Sequence, residues 1–159
     1  MANRRPVLIH ATAVALPAGE ERDGVLLRGA SGSGKSDLAL RLIDEGARLI
    51  ADDQTELCLH DGALSLRAPA RIASHMEVRG LGLVSVPTVG QASLVLVADL
   101  VAAAEVERLP APHTVTLAGV GVAMVRLAPF EVSAAAKLRL ATQAAISGTI
   151  GALDNMALS

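Results

Sequence analysis

Apolar and polar positions alternate or cluster along this chain in patterns that predict most of its elements. Residues 7–16 form a β-prone run whose only polar members are His10 and Thr12. The polar segment 17–23, containing Gly19, separates it from the short apolar run 24–28, so the two should pair as a hairpin. From about Lys35 to Glu45 the spacing of Leu38, Leu42 and Ile43 gives one apolar face of a helix, which Gly46 closes. Arg48-Leu49-Ile50-Ala51 is a short strand ending in Asp52-Asp53. Reached through a helix from residues 24–28, it completes a βαβ unit and should run parallel to that first strand, its carboxyl end beside the loop before the helix. Glu56 to His60 and Ala63 to Arg67 alternate around Asp61-Gly62, the clearest hairpin signal in the chain. His60 at its tip reads as a solvated turn residue.

Further on, residues 68–74 are irregular around Pro69, and 75–82 read as a charged loop hinged by Gly80 and Gly82. Such a loop suits either a binding element or a plain connection. Ser93 to Ala98 is a continuous apolar run ending at Asp99, as in a strand buried on both faces. Residues 101–108 predict a short helical turn that stops before Pro110, and 114–117 and 120–127 predict strands separated by Gly119. A last helix is expected from Ser133, as N-cap, to about Ser147, with Ala136, Leu140 and Ile146 near one face and Lys137 and Arg139 nearer another. The segment from Gly148 is expected to fray or to pack on a partner subunit. No repeat, low-complexity tract or linker interrupts this pattern, which is that of one α/β domain.

Composition narrows the picture. The 159 residues suffice for a single domain with a substantial core, and 52% of them are apolar. With no Trp, no Tyr and only Phe130, that core must be aliphatic. A net charge of −2 gives no electrostatic footprint for nucleic acid, and the chain lacks the aromatic platforms on which single strands stack. The lone Cys58 excludes an internal disulfide and a cysteine zinc site, and its alternating run reads it as a small buried apolar residue. No stretch approaches the roughly 18 apolar residues of a membrane span. The default is a soluble, cytoplasmic protein without nucleic-acid or membrane partners.

The chemistry is concentrated between the first hairpin and the first helix. Gly29-Ala30-Ser31-Gly32-Ser33-Gly34-Lys35-Ser36 fits the pattern G-x-x-x-x-G-K-[ST], and it follows a strand and opens a helix, the context that pattern requires. Glycines let backbone N–H groups turn towards anionic oxygens, and the helix start adds partial positive charge. Lys35 can reach β- and γ-phosphates and the Ser36 hydroxyl can coordinate Mg²⁺. The loop therefore predicts a bound nucleoside triphosphate or a similar polyphosphate. Asp52 and Asp53 lie where the βαβ unit delivers them to the phosphates, and two adjacent carboxylates there call for a metal or a substrate.

Taken in order, the strand with Ile9-His10-Ala11, the phosphate loop, Ala51-Asp52-Asp53 and Met76-Glu77-Val78-Arg79-Gly80-Leu81-Gly82 resemble the catalytic domain of bacterial HPr kinase/phosphorylase. The resemblance runs from about Val7 to Arg108, and its most specific element is the segment beginning at Met76. It implies a P-loop-containing mixed sheet with flanking helices, similar in fold also to the phosphate-loop part of phosphoenolpyruvate carboxykinases. It further implies an ATP- and Mg²⁺-dependent serine kinase acting on the phosphocarrier HPr, typically as a homohexamer. By the same resemblance Lys35 would hold the phosphates, and Ser36, Glu77 and Asp53 would serve the metal. One of Asp52 and Asp53, with Asp53 favoured, would take the proton of the acceptor serine. His10 would assist that carboxylate, and Arg79 and Arg108 would act in catalysis. Residues 1–159 would be a single kinase domain lacking the family's additional N-terminal domain. Where the family carries Pro-Val-Arg-Pro-Gly-Arg-Asn, this chain reads Val125-Arg126-Leu127-Ala128-Pro129-Phe130-Glu131, which leaves open the reverse, phosphorolytic reaction. A small-molecule kinase and a non-catalytic nucleotide sensor remain the alternatives to a protein kinase.

Overall fold

The computed structural model describes residues 5–18, 21–69 and 75–148. In chain order these form β1 (Val7–Ile9), β2 (Ala11–Ala18), β3 (Glu21–Arg28), α1 (Lys35–Asp44), β4 (Arg48–Ala51), β5 (Thr55–His60) and β6 (Ala63–Arg67). There follow β7 (His75–Val78), β8 (Gly82–Ser85), β9 (Gln91–Leu100), a 3-10 turn at Ala103–Glu105, β10 (His113–Leu117), β11 (Val120–Leu127) and α2 (Ala134–Ile146).

Among the described residues, nine strands make one mixed sheet. Its main path runs β1-β5-β6-β9-β3-β2-β4. β9 is the trunk: β3 pairs with it in parallel, while its other edge is shared between β6, antiparallel near Gln91–Ser93, and β11, parallel from Val97 to Leu100. Both faces are covered. Alternate side chains of β3 part accordingly: Val25 and Leu27 pack with Leu38 and Leu42 of α1 and Leu138 of α2, whereas Leu26 meets Leu57, Leu64 and Leu66 on the other face. That double burial is why residues 93–98 read as a continuous apolar run. Among the described residues no helix is long and apolar enough to cross a membrane.

Several expectations change in the structure. The strand expected over 7–16 breaks at His10: β1 joins β5, while β2 forms the hairpin with β3. β4 does run in the same direction as β3, but β2 lies between them, antiparallel to both. The loop expected over 75–82 is part of a β-ribbon over 75–85, β7 pairing with β8 across a turn at 79–81, with Gly80 and Gly82 at positive φ. Only the 3-10 turn remains of the helical turn expected over 101–108. α1 ends at Asp44, with Gly46 at φ 108, as its pattern predicts. α2 turns the opposite way from its expected face: Ala134, Ala135, Leu138 and Thr142 are buried, while Leu140 and Ile146 are exposed. The helix is apolar almost all round, so the side that meets β9 and β11 decides. Ser133 precedes α2 without a side-chain cap, and Cys58, opposite Ser65, is only half-buried. The turn at Gly19, the segment 70–74 and the residues after Gly148 lie outside the described residues.

Candidate active site

The phosphate loop hangs between the carboxyl end of β3 and the start of α1. Gly29 has no room for a side chain: a Cβ there would lie 2.4 Å from Ser33 Oγ. Gly34, at φ 98, precedes α1 without any side-chain cap, so the first N–H groups of the helix have no partner from a capping residue and point towards the loop. Lys35 is buried and reaches back across the loop, its Nζ donating to Gly29 O at 2.7 Å and Ala30 O at 3.0 Å. An ammonium has a third N–H to offer an anion. Ser33 Oγ is buried without a hydrogen-bond partner among the described residues. The loop's foot is fixed by Arg28, which donates twice to Asp99 at 2.7 and 2.9 Å and ties β3 to β9 at its last residue. That hydrogen bond raises the Arg28 pKa, outweighing the opposite effect of burial.

A chain of hydrogen bonds links the loop to the end of β4. Ser36 Oγ donates to Asp52 Oδ1 at 2.8 Å, and Thr12 Oγ1 donates to the same oxygen at 3.1 Å. The Thr12 oxygen in turn accepts the backbone N–H of Asp53 at 3.1 Å. Asp53 Oδ1 lies 2.7 Å from His10 Nε2. Asp53 has φ 68, an unusual conformation for a residue with a side chain, and it aims this carboxylate away from its neighbour. The two carboxylates therefore have different partners. Ser36, expected with Asp53 and Glu77 at a metal, bonds to Asp52, and Asp53 bonds to His10, while Ser36 and Asp53 both line one cleft. β2 makes this possible, because it lies between β3 and β4 and brings Thr12, with His10 just before its first residue, to β4's end.

The β7–β8 ribbon adds the opposite wall. Glu77, Arg79, Gly80 and Gly82 line a cleft of about 570 Å³ with Gly32 and Ser36. An adjoining cleft of about 420 Å³ is bounded by Ser31, Gly34, Lys35, Asp53, Arg79 and Phe130, among others. Arg108 is exposed between the 3-10 turn and β10, and it is not among the residues lining these clefts. His10, Lys35, Ser36, Asp52, Asp53, Glu77 and Arg79 thus come together; Arg108 does not join them.

The model of the HPr Serine kinase C-terminal domain family matches residues 18–127. The chain belongs to that family. HPr kinase/phosphorylase of Bordetella petrii is 38% identical over 139 residues, covering 80% of this chain and 44% of the relative. That of Clostridium tetani is 44% identical over 73 residues, covering 46% of this chain and 24% of the relative. The chain thus spans less than half the length of these curated relatives. The structure of the Hpr(Ser) kinase/phosphatase from Coxiella burnetii has the same fold, with a TM-score of 0.72 at 24% identity over 89% of this chain and 96% of that one. Within this HPr kinase fold, sequence reasoning missed Thr12, which bonds to both residues of the carboxylate pair. Its one signal was a lone hydroxyl in an otherwise apolar strand, a buried polar group that must find partners.

Proposed function

We propose that this chain is the catalytic domain of a protein serine kinase that moves the γ-phosphoryl group of ATP to a serine of HPr. The observation that carries it is the hydrogen-bonded series Ser36, Asp52, Thr12, Asp53 and His10 at the mouth of the phosphate loop. Phosphoryl transfer asks a protein chiefly to position its reactants and to neutralise charge. Lys35 and the N–H groups that open α1 serve the phosphates. Asp53 accepts the proton of the acceptor hydroxyl, and His10, bonded to Asp53, holds that carboxylate in position. Arg79, on the facing ribbon, supplies a further cation to the developing charge.

Mg²⁺ fits the residues present. Ser36 and Asp52 already share a hydrogen bond, Glu77 lines the same cleft as Ser36, and all three offer hard oxygen atoms. Such ions are usually held by one or two carboxylates together with phosphates and water. When bound there, the ion would neutralise charge on the phosphate oxygens. The reading carries with it a cytoplasmic enzyme, assembled as a homohexamer by family resemblance.

The test is the intact mass of HPr from the same organism after incubation with this protein, Mg²⁺ and ATP, with Lys35→Ala as the blank. A gain of one phosphoryl group on a serine, absent with the variant, is expected. No gain by HPr under conditions where ATP binds would overturn the assignment in favour of a small-molecule kinase or a nucleotide sensor.

A further inference from the structure

Phe130 is the only Phe, Tyr or Trp in the chain, and 71% of it is exposed. It belongs to the loop after β11. β3 and β11 both run parallel to β9, so that loop opens on the same side of the sheet as the phosphate loop. This is where open α/β sheets receive their ligands. The ring lines the cleft that also holds Ser31, Gly34, Lys35 and Ser36. Its Cζ would stand only 3.0 Å from a Cβ at Gly34, tighter than ordinary van der Waals contact, so the ring packs directly against the loop.

The ring is also held firmly. Arg41 of α1 donates to Pro129 O and, at 3.3 Å, to Glu131 O, and is itself paired with Asp37 at 3.0 Å. Lys137 of α2 holds the Glu131 carboxylate at 2.8 Å. Both helices thus fix the residues flanking an apolar ring that is not buried. A ring that merely plugged the space beside Gly34 would be enclosed, whereas this one leaves most of its surface open next to the phosphate loop.

We propose that Phe130 is the nucleobase platform of the site, the base of the bound nucleoside triphosphate lying against its ring. This rests on the phosphate-loop reading and extends it to the other end of the nucleotide. Phenylalanine has no hydrogen-bonding group, so the ring reads a π-face rather than a base edge. ATP and GTP should therefore bind alike, and both should bind more tightly than CTP or UTP, whose bases stack over a smaller area.

The experiment compares Mg²⁺-ATP with Mg²⁺-tripolyphosphate by calorimetry on the wild-type protein, Phe130→Ala and Lys35→Ala. Phe130→Ala is expected to weaken ATP binding about tenfold, the usual scale of one lost stacking contact, and to leave tripolyphosphate binding unchanged. Phe130→Leu, which keeps an apolar contact with Gly34, should lose ATP affinity in the same selective way if the alanine variant does not fold. Phe130→Trp gives a direct optical reading, because the chain has no other Trp or Tyr: ATP should change its emission and tripolyphosphate should not. Equal weakening of both ligands by Phe130→Ala, or no weakening of ATP, overturns the platform. If tripolyphosphate still binds and Lys35→Ala abolishes that binding, the phosphate-loop reading stands without the platform. Binding of neither ligand by the wild-type protein overturns both.

Discussion

The Asp52-Asp53 pair divides its labour through the side chains it meets. Asp52 is occupied by two hydroxyls, Ser36 and Thr12, while Asp53 turns to an imidazole. Asp53→Asn keeps the shape but removes the proton acceptor. Phosphoryl transfer to HPr should fall below detection while ATP affinity measured by calorimetry stays within the wild-type range. Thr12→Val conserves volume but deletes a fully buried hydroxyl that donates to Asp52 and accepts from the Asp53 backbone. Urea denaturation should show a loss of about 1–2 kcal/mol, the scale of hydrogen bonds left unmade, together with slower transfer. Unaltered stability and turnover would remove Thr12 from the site. His10, Lys35 and the carboxylate pair were legible in the sequence because each sits in or beside a short motif. Thr12 was not, because threonine is an ordinary strand former and its partners lie some 40 positions downstream.

At the scale of elements, local signals predicted well and long-range pairings poorly. Asp61-Gly62 specified its hairpin, and the apolar spacing of α1 specified its buried face. No local signal places β2 between β3 and β4, or divides one edge of β9 between β6 and β11, because such pairings depend on contacts between distant segments. α2 failed for another reason: alanines and leucines on nearly every side leave its periodicity without a preferred direction. The Arg28–Asp99 pair shows what non-local pairing achieves, since it fastens the last residue of β3 to β9 just before Gly29. Asp99→Ala strands a partly buried guanidinium and should cost about 1–3 kcal/mol by urea denaturation, with weaker ATP binding. The raised Arg28 pKa contributes stability that is complete below arginine's ordinary value and is lost only as pH rises beyond it. The wild-type pair should therefore show no arginine titration around neutral pH.

For the whole molecule, a nucleotide that binds only the folded site, built from the main sheet and the β7–β8 ribbon, raises global stability. Ligand present at about one hundred times its Kd stabilises a protein by roughly 2.7 kcal/mol, or about 5–10 °C in a domain of this size. A thermal scan with Mg²⁺-ATP should show that rise, and Lys35→Ala should abolish it. The net charge of −2 supplies little long-range attraction for an anionic nucleotide, so binding must rest on the local donors of the loop.

The β7–β8 ribbon has a different bearing on this molecule. It forms its own two-stranded sheet, without ladder bonds to the other nine strands, and Met76 is its one fully buried large side chain. Two-stranded ribbons have little stability of their own. Glu77 and Arg79 therefore ride on the part of the site with the least ladder support. Amide hydrogen exchange should reveal this as early deuterium uptake in residues 75–85 and late uptake in β9. Met76→Ala, which takes the ribbon's one fully buried large side chain out of the cluster it shares with α1 and β9, should hasten exchange in the ribbon more than in β9.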